Sequence, residues 1–355
     1  MDYVKRVLEL ADSAAAQGKP GCRWMWGEAL LGYAFTELDA WLGEDRYLKH
    51  IEQYGDHFTE HSPRVDQADT SAPALITYAL QKKLGKPGYK VLTDRVLDYI
   101  KNEPRLMDDA VNHLGNSLEG KFYPKSIWVD SLMMFSVFPA RYAAENGDPE
   151  LLDFAARQPG LYAGTMQDPE DKLWYHSYWV KQKTHYPRKK LFWGRGNGWV
   201  IAALPMILDQ LPEDHPERPG ILKILEETSA ALLPCQREDG FWETVLNKQG
   251  KTYREASATA LMACGWLHSA NKDYLPQVYG EAGVKAFESV SSLITQRKKG
   301  LALPEISGPT IPLPLLPYPG YKLIPRGDNW DYGLAALFLA LIQYDRYLKT
   351  QEKEI

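Results

Sequence analysis

Cysteine is scarce in this chain of 355 residues: Cys22, Cys235 and Cys264 are odd in number and widely spaced, so neither a disulfide framework nor a zinc cluster can be read from them. Long apolar runs are missing. No stretch approaches the roughly 20 apolar residues that a membrane span needs. The opening MDYVKRVLELADSAAA carries acidic residues and no apolar core of a secretory signal, so the expected compartment is the cytoplasm. Basic charge is not in excess. A formal net charge of −5 argues against nucleic acid or a membrane surface as the general partner. Apolar residues, by contrast, make up 45% of the chain, enough for a large core. Eleven Trp and 21 Tyr stand out. Such rings fill cores, and they also line carbohydrate clefts, where a flat face packs on a sugar and a polar tip hydrogen-bonds.

Helical periodicity dominates. Val4, Val7, Leu8 and Ala11 follow the i, i+3, i+4, i+7 rule. The spacing predicts helices over 27–42, 46–60, 68–84, 89–101 and 128–146. Asp148-Pro149-Glu150 then gives a strong start signal, an N-cap Asp followed by Pro, for a helix to about Gly164. After a non-helical segment over 167–192, rich in aromatic and basic residues, helices are expected from about Asn197 to before Pro212, over 219–233, 255–269 and 276–295, and over 332–348. Residues 303–325 hold seven prolines and are expected to be loop. Some helices are apolar on nearly all faces and others on one face. Six pairs of that kind suit an all-α (α/α)6 toroid in one domain over 1–355, with an α-solenoid as the alternative.

Several strings carry chemistry. Asp130 lies in the apolar run Ile127-Trp128-Val129-Asp130-Ser131-Leu132-Met133. Burial there raises its pKa and a helix N-terminus lowers it. A raised value suits a general acid. Asp66 and Asp69 lie in Val65-Asp66-Gln67-Ala68-Asp69-Thr70, and Asp69 reads as the better helix cap because Thr70 and Ser71 follow. Asp66 and Asp130, both near the starts of apolar helices, make a candidate pair of the kind that cleaves glycosidic bonds. In Trp193-Gly194-Arg195-Gly196-Asn197-Gly198-Trp199, three glycines allow a tight turn and close approach to a ligand, Arg195 is a fork for a carboxylate, and the tryptophans offer stacking faces. The bland alternative is a helix-entry turn with Arg195 in a structural ion pair. His176 sits among Trp174, Tyr175 and Trp179. The basic run from His185 to Lys190 is either a solvated loop or a local field that draws an anionic substrate.

The order Trp128-Val129-Asp130, Trp174-Tyr175-His176 and then WGRGNGW over 193–199 resembles the unsaturated rhamnogalacturonyl hydrolases, family 105 of the glycoside hydrolases, with the family 88 unsaturated glucuronyl hydrolases more distant. Trp24-Met25-Trp26-Gly27 and Gly327-Asp328-Asn329-Trp330-Asp331-Tyr332-Gly333 also fit, so the resemblance spans nearly the whole chain. It implies an (α/α)6 barrel without metal or cofactor. It implies an oligosaccharide substrate with a 4,5-unsaturated uronic acid at its non-reducing end. The implied reaction is hydration: an aspartate protonates C4 of the vinyl ether, water adds at C5, and the hemiketal collapses to release the leaving sugar. Asp130 matches the catalytic acid/base and Asp66 the second carboxylate. Trp128, His176, Trp193, Arg195, Trp199 and Trp26 match the lining of the uronate subsite, with Arg195 expected to meet the carboxylate. The segment reads Val65-Asp66-Gln67 where relatives often show Asp-His, which leaves Asp69 open as the second carboxylate. The proline-rich stretch matches no family feature and is a candidate for shaping the leaving-group subsite. Two other functions fit a similar barrel: a sugar epimerase working through two histidines, and a non-catalytic sugar-binding protein. Only His176 of eight histidines lies in a distinctive string, which counts against the first.

Overall fold

The computed structural model describes residues 2–17, 23–313 and 315–353. Cys22 and Pro314 lie outside them. Helices α1 (Tyr3–Ala16), α2 (Trp26–Leu42), α3 (Leu48–Glu60), α4 (Ala74–Leu84) and α5 (Pro87–Asn102) alternate between outer and inner positions. After a short α6 (Leu118–Phe122) the alternation continues through α7 (Val137–Asn146), α8 (Pro149–Met166), α9 (Gly194–Leu208), α10 (Arg218–Leu232), α11 (Ala256–Asn271) and α12 (Gln277–Ser292). A short α13 (Pro317–Lys322) precedes the closing α14 (Asp331–Lys353). Helices α2, α4, α7, α9, α11 and α14 touch in that order, and α14 packs back on α2, so the inner ring closes. This is the expected (α/α)6 toroid.

The division into rings follows from side-chain chemistry. Every residue of α9 is buried, and all of α11 except its last. A helix apolar on all faces must be surrounded. Outer α3 buries only Ile51, Tyr54, Gly55 and Phe58, one stripe at i, i+3, i+4, i+7.

Small antiparallel pieces connect the helices. A hairpin joins β1 (Arg105–Met107) to β2 (Ala110–Val111). A three-stranded sheet has the order β3 (Ser126–Trp128), β4 (Ser177–Trp179), β5 (Thr184–Tyr186), with Trp128, Ser177 and Tyr186 in register. Strands β6 (Thr295–Arg297) and β7 (Gly300–Ala302) pair, as do β8 (Ile306–Ser307) and β9 (Arg326–Gly327).

Three expectations change. The helix expected over 68–84 is interrupted: a 3-10 turn covers Ala68–Thr70, and the α-helix starts only after Pro73. The helix expected over 128–146 begins later, because Trp128 ends strand β3 and a π-turn over Leu132–Ser136 leads into α7. The stretch 303–325 is not bare loop: β8 and α13 lie within it, and β9, which begins just after it, pairs back on β8 and closes it off.

Candidate active site

The inner helices run in one direction, and their N-termini converge. Trp26 opens α2, Asp69 sits just before α4, Asp130 before the turn into α7, Arg195 in the first turn of α9, Glu255 at the cap of α11, and Tyr332 in the first turn of α14. Their contacts bind this end together: Arg195 reaches Ser257 at 3.4 Å, and Trp26 stacks on Tyr332 at 4.6 Å. Unpaired N–H groups and aligned peptide dipoles make such an end favourable for an anion. A uronate carboxylate is one.

Two carboxylates and two imidazoles occupy the centre. Asp130 Oδ2 lies 3.5 Å from His176 Nε2, and neither atom has a hydrogen-bond partner at shorter range. Asp69 Oδ1 lies 3.5 Å from His113 Nε2. His113 shares a hydrogen bond of 2.8 Å with Ser131 Oγ, and His176 Nδ1 one of 3.0 Å with the Tyr321 hydroxyl. Each carboxylate keeps 14% of its side chain open, so the pair is deep but reachable.

Their proton affinities split. Burial, reinforced by the negative charge of Asp130, pushes the Asp69 carboxyl well above the usual carboxylate range. Burial also pushes Asp130 up, but the hydrogen bond and charge of His176, with the charges of His113 and Arg195, outweigh it and hold Asp130 below its ordinary value. Burial lowers His176 against the pull of Asp130, and lowers His113 to about 4. The two carboxyls are thus pushed in opposite directions by their surroundings. The competition that the sequence left open for Asp130 ends on the lowered side, and the raised carboxyl is Asp69.

Aromatic rings wall the pair. Trp128 stacks on His113 at 4.3 Å and meets His176 edge-on at 5.6 Å. Its position is set by β3 and by a 2.9 Å bond from its Nε1 to Ser126 Oγ. Trp193 stacks on His176 at 4.2 Å. Trp26, half-buried, reaches this end through Tyr332, and its edge contact with Trp199 is at 6.1 Å. Trp199 is 1% exposed. It backs the wall and offers no free face, which corrects its reading as a stacking surface.

Two further site assignments change. Asp66 does not face Asp130. It pairs with Arg64 at 3.1 Å, and its charge is felt by Tyr99 and Glu103. The carboxylate brought to Asp130 is Asp69, which is no cap either, since Gln67 caps the 3-10 turn. The terminal nitrogens of Arg195 are not free to clamp a carboxylate, and only its Nε has no hydrogen-bond partner among the described residues. Its two terminal nitrogens donate to the carbonyls of Ser307 at 2.9 Å and Gly308 at 2.8 Å, and the second also to Thr310 Oγ1 at 3.1 Å. The guanidinium lies 4.8 Å from both the Trp193 and Tyr332 rings. Nor do the glycines around it form a turn. They lie in the first turns of α9, where a Cβ on Gly196 would come within 2.7 Å of the Trp193 ring and 3.0 Å of Val129. They let the helix pack close, and Arg195 straps down the segment that carries the proline-rich stretch.

Replacing Arg195 by Lys strands those carbonyls, at about 1–3 kcal/mol each. The expected result is a lower urea midpoint, with loss of substrate affinity no larger than the loosened segment explains. Unchanged stability with a large rise in KM would return Arg195 to direct substrate contact.

Sequence reading missed His113 and Tyr321. His113 follows β2 in a string without distinctive neighbours, and only the stacking on Trp128 brings it in. Tyr321 comes from α13, inside the stretch expected to be loop. Among the described residues, no three His, Cys, Asp or Glu side chains are grouped to hold a metal ion.

Comparison with known proteins agrees with this architecture. The sequence pattern of Glycosyl Hydrolase Family 88 matches residues 4–348. The chain is 26% identical over 334 residues to the unsaturated rhamnogalacturonyl hydrolase YesR of Bacillus subtilis, covering 93% of this chain and 91% of the relative. It is 27% identical over 239 residues to an unsaturated 3S-rhamnoglycuronyl hydrolase of an Alteromonas species, covering 65% of this chain and 58% of the relative. Among solved structures, a family 105 glycoside hydrolase of C. acetobutylicum superposes with a TM-score of 0.86 at 24% identity, over 97% of this chain and 99% of the other. Neither the epimerase nor the binding-protein alternative draws support from these relatives.

Proposed function

Since the chain belongs to glycosyl hydrolase family 88, we propose that it removes a 4,5-unsaturated uronic acid from the non-reducing end of lyase-generated oligosaccharides, with pectin-derived disaccharides of rhamnogalacturonan type as the expected substrates. The whole barrel serves as one catalytic domain. Its compartment in this reading is the cytoplasm, in keeping with the free thiols of Cys235 and Cys264. The substrate partner is a small oligosaccharide; neither nucleic acid nor a membrane enters the reading.

The observation that carries it is the placing of Asp69 and Asp130, each 3.5 Å from a histidine ring nitrogen and beside Trp128, with Asp69 pushed up by burial and Asp130 held down by His176. Two titratable groups pushed apart by their surroundings assign the acid and the base. Asp69, whose carboxyl burial pushes well above the usual carboxylate range, delivers its proton to C4 of the vinyl ether. Positive charge develops at C5 and the ring oxygen. Asp130, ionised beside His176, takes a proton from the water that adds at C5. The hemiketal opens to a ketone at C5, and the hemiacetal left at C1 breaks to free the leaving sugar, which keeps the glycosidic oxygen. Trp128 borders the two carboxyls where the ring sits, Trp193 backs His176 behind them, and the converging helix N-termini hold the uronate.

Loss of the ultraviolet absorbance of the conjugated C=C–carboxylate tests this directly. A panel of lyase products from rhamnogalacturonan, ulvan and glycosaminoglycan would be mixed with the protein. Bleaching is expected with the rhamnogalacturonan product. No bleaching of any member by folded protein would sink the proposal. The pH profile should be bell-shaped. Activity falls on the acid side as Asp130 protonates, below the ordinary carboxylate value, and on the alkaline side as Asp69 ionises, well above it.

A further inference from the structure

The basic run from His185 to Lys190 has no part in the chemistry above. Lys190 is tied to Asp168, Glu170 and Asp171. Arg188 and Lys189 are exposed, and among the described residues neither has a carboxylate partner. The Arg188 guanidinium lies 5.5 Å from the Tyr186 ring. Together with Tyr186, Leu191, Leu316 and Tyr318, they line a pocket of about 580 Å³.

Two structural links join this pocket to the catalytic pair. Helix α13 carries Tyr318 on the pocket and, one turn on, Tyr321 on His176. The three-stranded sheet supplies an aromatic path: Tyr186 stacks on Trp179 at 3.8 Å, Trp179 meets Tyr123 at 5.5 Å, and Tyr123 meets Trp128 at 5.6 Å. Trp128, Trp179 and Tyr186 are buried, so the path fixes the pocket wall relative to the catalytic pair. Lys322, exposed and without a carboxylate partner among the described residues, lies 5.9 Å from the Tyr318 ring of the pocket. In a chain of net charge −5, Arg188 and Lys189 give this pocket a local positive charge. Such a field concentrates anions.

We propose that the Arg188–Lys189 pocket is a subsite for an anionic group, a sulfate ester or a carboxylate, on the leaving oligosaccharide. This rests on the catalytic site proposed above. The two cations meet its charge beside the Tyr186 and Tyr318 rings. The proline-rich segment thereby acquires a role: it forms the opposite wall.

The test compares unsaturated oligosaccharides that differ only in the leaving part: neutral, sulfated, or bearing a uronate. KM is measured for the natural protein and for the Arg188→Ala/Lys189→Ala double variant, at low and high salt. At least one anionic substrate should show a KM about tenfold below that of the neutral one, since exposed charges act mainly on encounter and affinity. That ratio should shrink at high salt and fall towards one in the double variant. A preference for sulfate alone, or for uronate alone, names the group. Equal KM for all three in the natural protein overturns the subsite, and so does a ratio that survives the double substitution. Calorimetric binding of the same sugars to Asp130→Asn protein separates the two readings. An anionic preference in binding without turnover of any substrate by the natural protein sinks the hydrolase reading and keeps the subsite; no anionic preference sinks the subsite.

Discussion

Asp130→Asn is expected to lower kcat by roughly a thousandfold or more, within the span of general acid–base effects, while substrate binding is kept. Asparagine preserves the volume and still accepts a hydrogen bond from His176, so the walls of Trp128 and Trp193 stay in place. What it cannot do is take a proton from water. A second consequence follows from the charge. The negative charge of Asp130 is one of the two causes that raise Asp69. With it gone, Asp69 ionises more easily, and the alkaline limb of any residual activity moves to lower pH. Both readouts come from one set of rate measurements across pH. A variant keeping a tenth or more of the activity would remove Asp130 from the chemistry.

Asp69→Asn is expected to move activity and stability in opposite directions. Activity should fall by about a hundredfold or more, because the proton donor is lost. Stability should rise at neutral pH. The folded-state pKa of Asp69 lies above its unfolded value, so the contribution of the acid form is intact below about 4 and is lost as pH rises towards the folded value. Across that window the cost is about 1.4 kcal/mol per pH unit, and it stays constant above it. Thermal melts of the two proteins should therefore coincide at acid pH, with the variant gaining as pH rises. A site that sacrifices stability for a protonated carboxyl behaves this way. If the variant is less stable at every pH, the Asp69 carboxylate is serving as an ionised partner of His113, and the assignment of donor and base fails. Asp66→Asn, on the Arg64 side, is expected to disturb neither measurement appreciably.

Much of the fold was legible because the signals are local. An inner helix such as α11 is apolar on all faces and an outer helix such as α3 on one stripe, and that contrast needs no knowledge of neighbours. Asp130 and His176 were visible for the same reason: a polar group set among aromatics within a few residues announces itself. The misassignments all involve partners distant in the chain. Whether Asp66 or Asp69 meets Asp130 depends on the break at Pro73 and on His113, which packs in from the hairpin region. Arg195 between glycines reads as a ligand clamp, and only the carbonyls of Ser307 and Gly308 show that its two terminal nitrogens are occupied. The glycines themselves serve packing against Val129 and the Trp193 ring. Tyr321 was hidden because a stretch crowded with proline reads as loop, although α13 uses Pro317 at its start, where proline is tolerated.

The central claim is that bond cleavage follows hydration of the C4=C5 double bond, driven by Asp69 and Asp130. Proton NMR of the reaction in D₂O tests it most directly. The predicted result is loss of the vinyl H4 signal as the leaving sugar appears, with one solvent deuterium placed at C4 of the product. Release of the leaving sugar with the vinyl H4 signal intact would contradict it, because the glycosidic bond would then have been cut without touching the double bond.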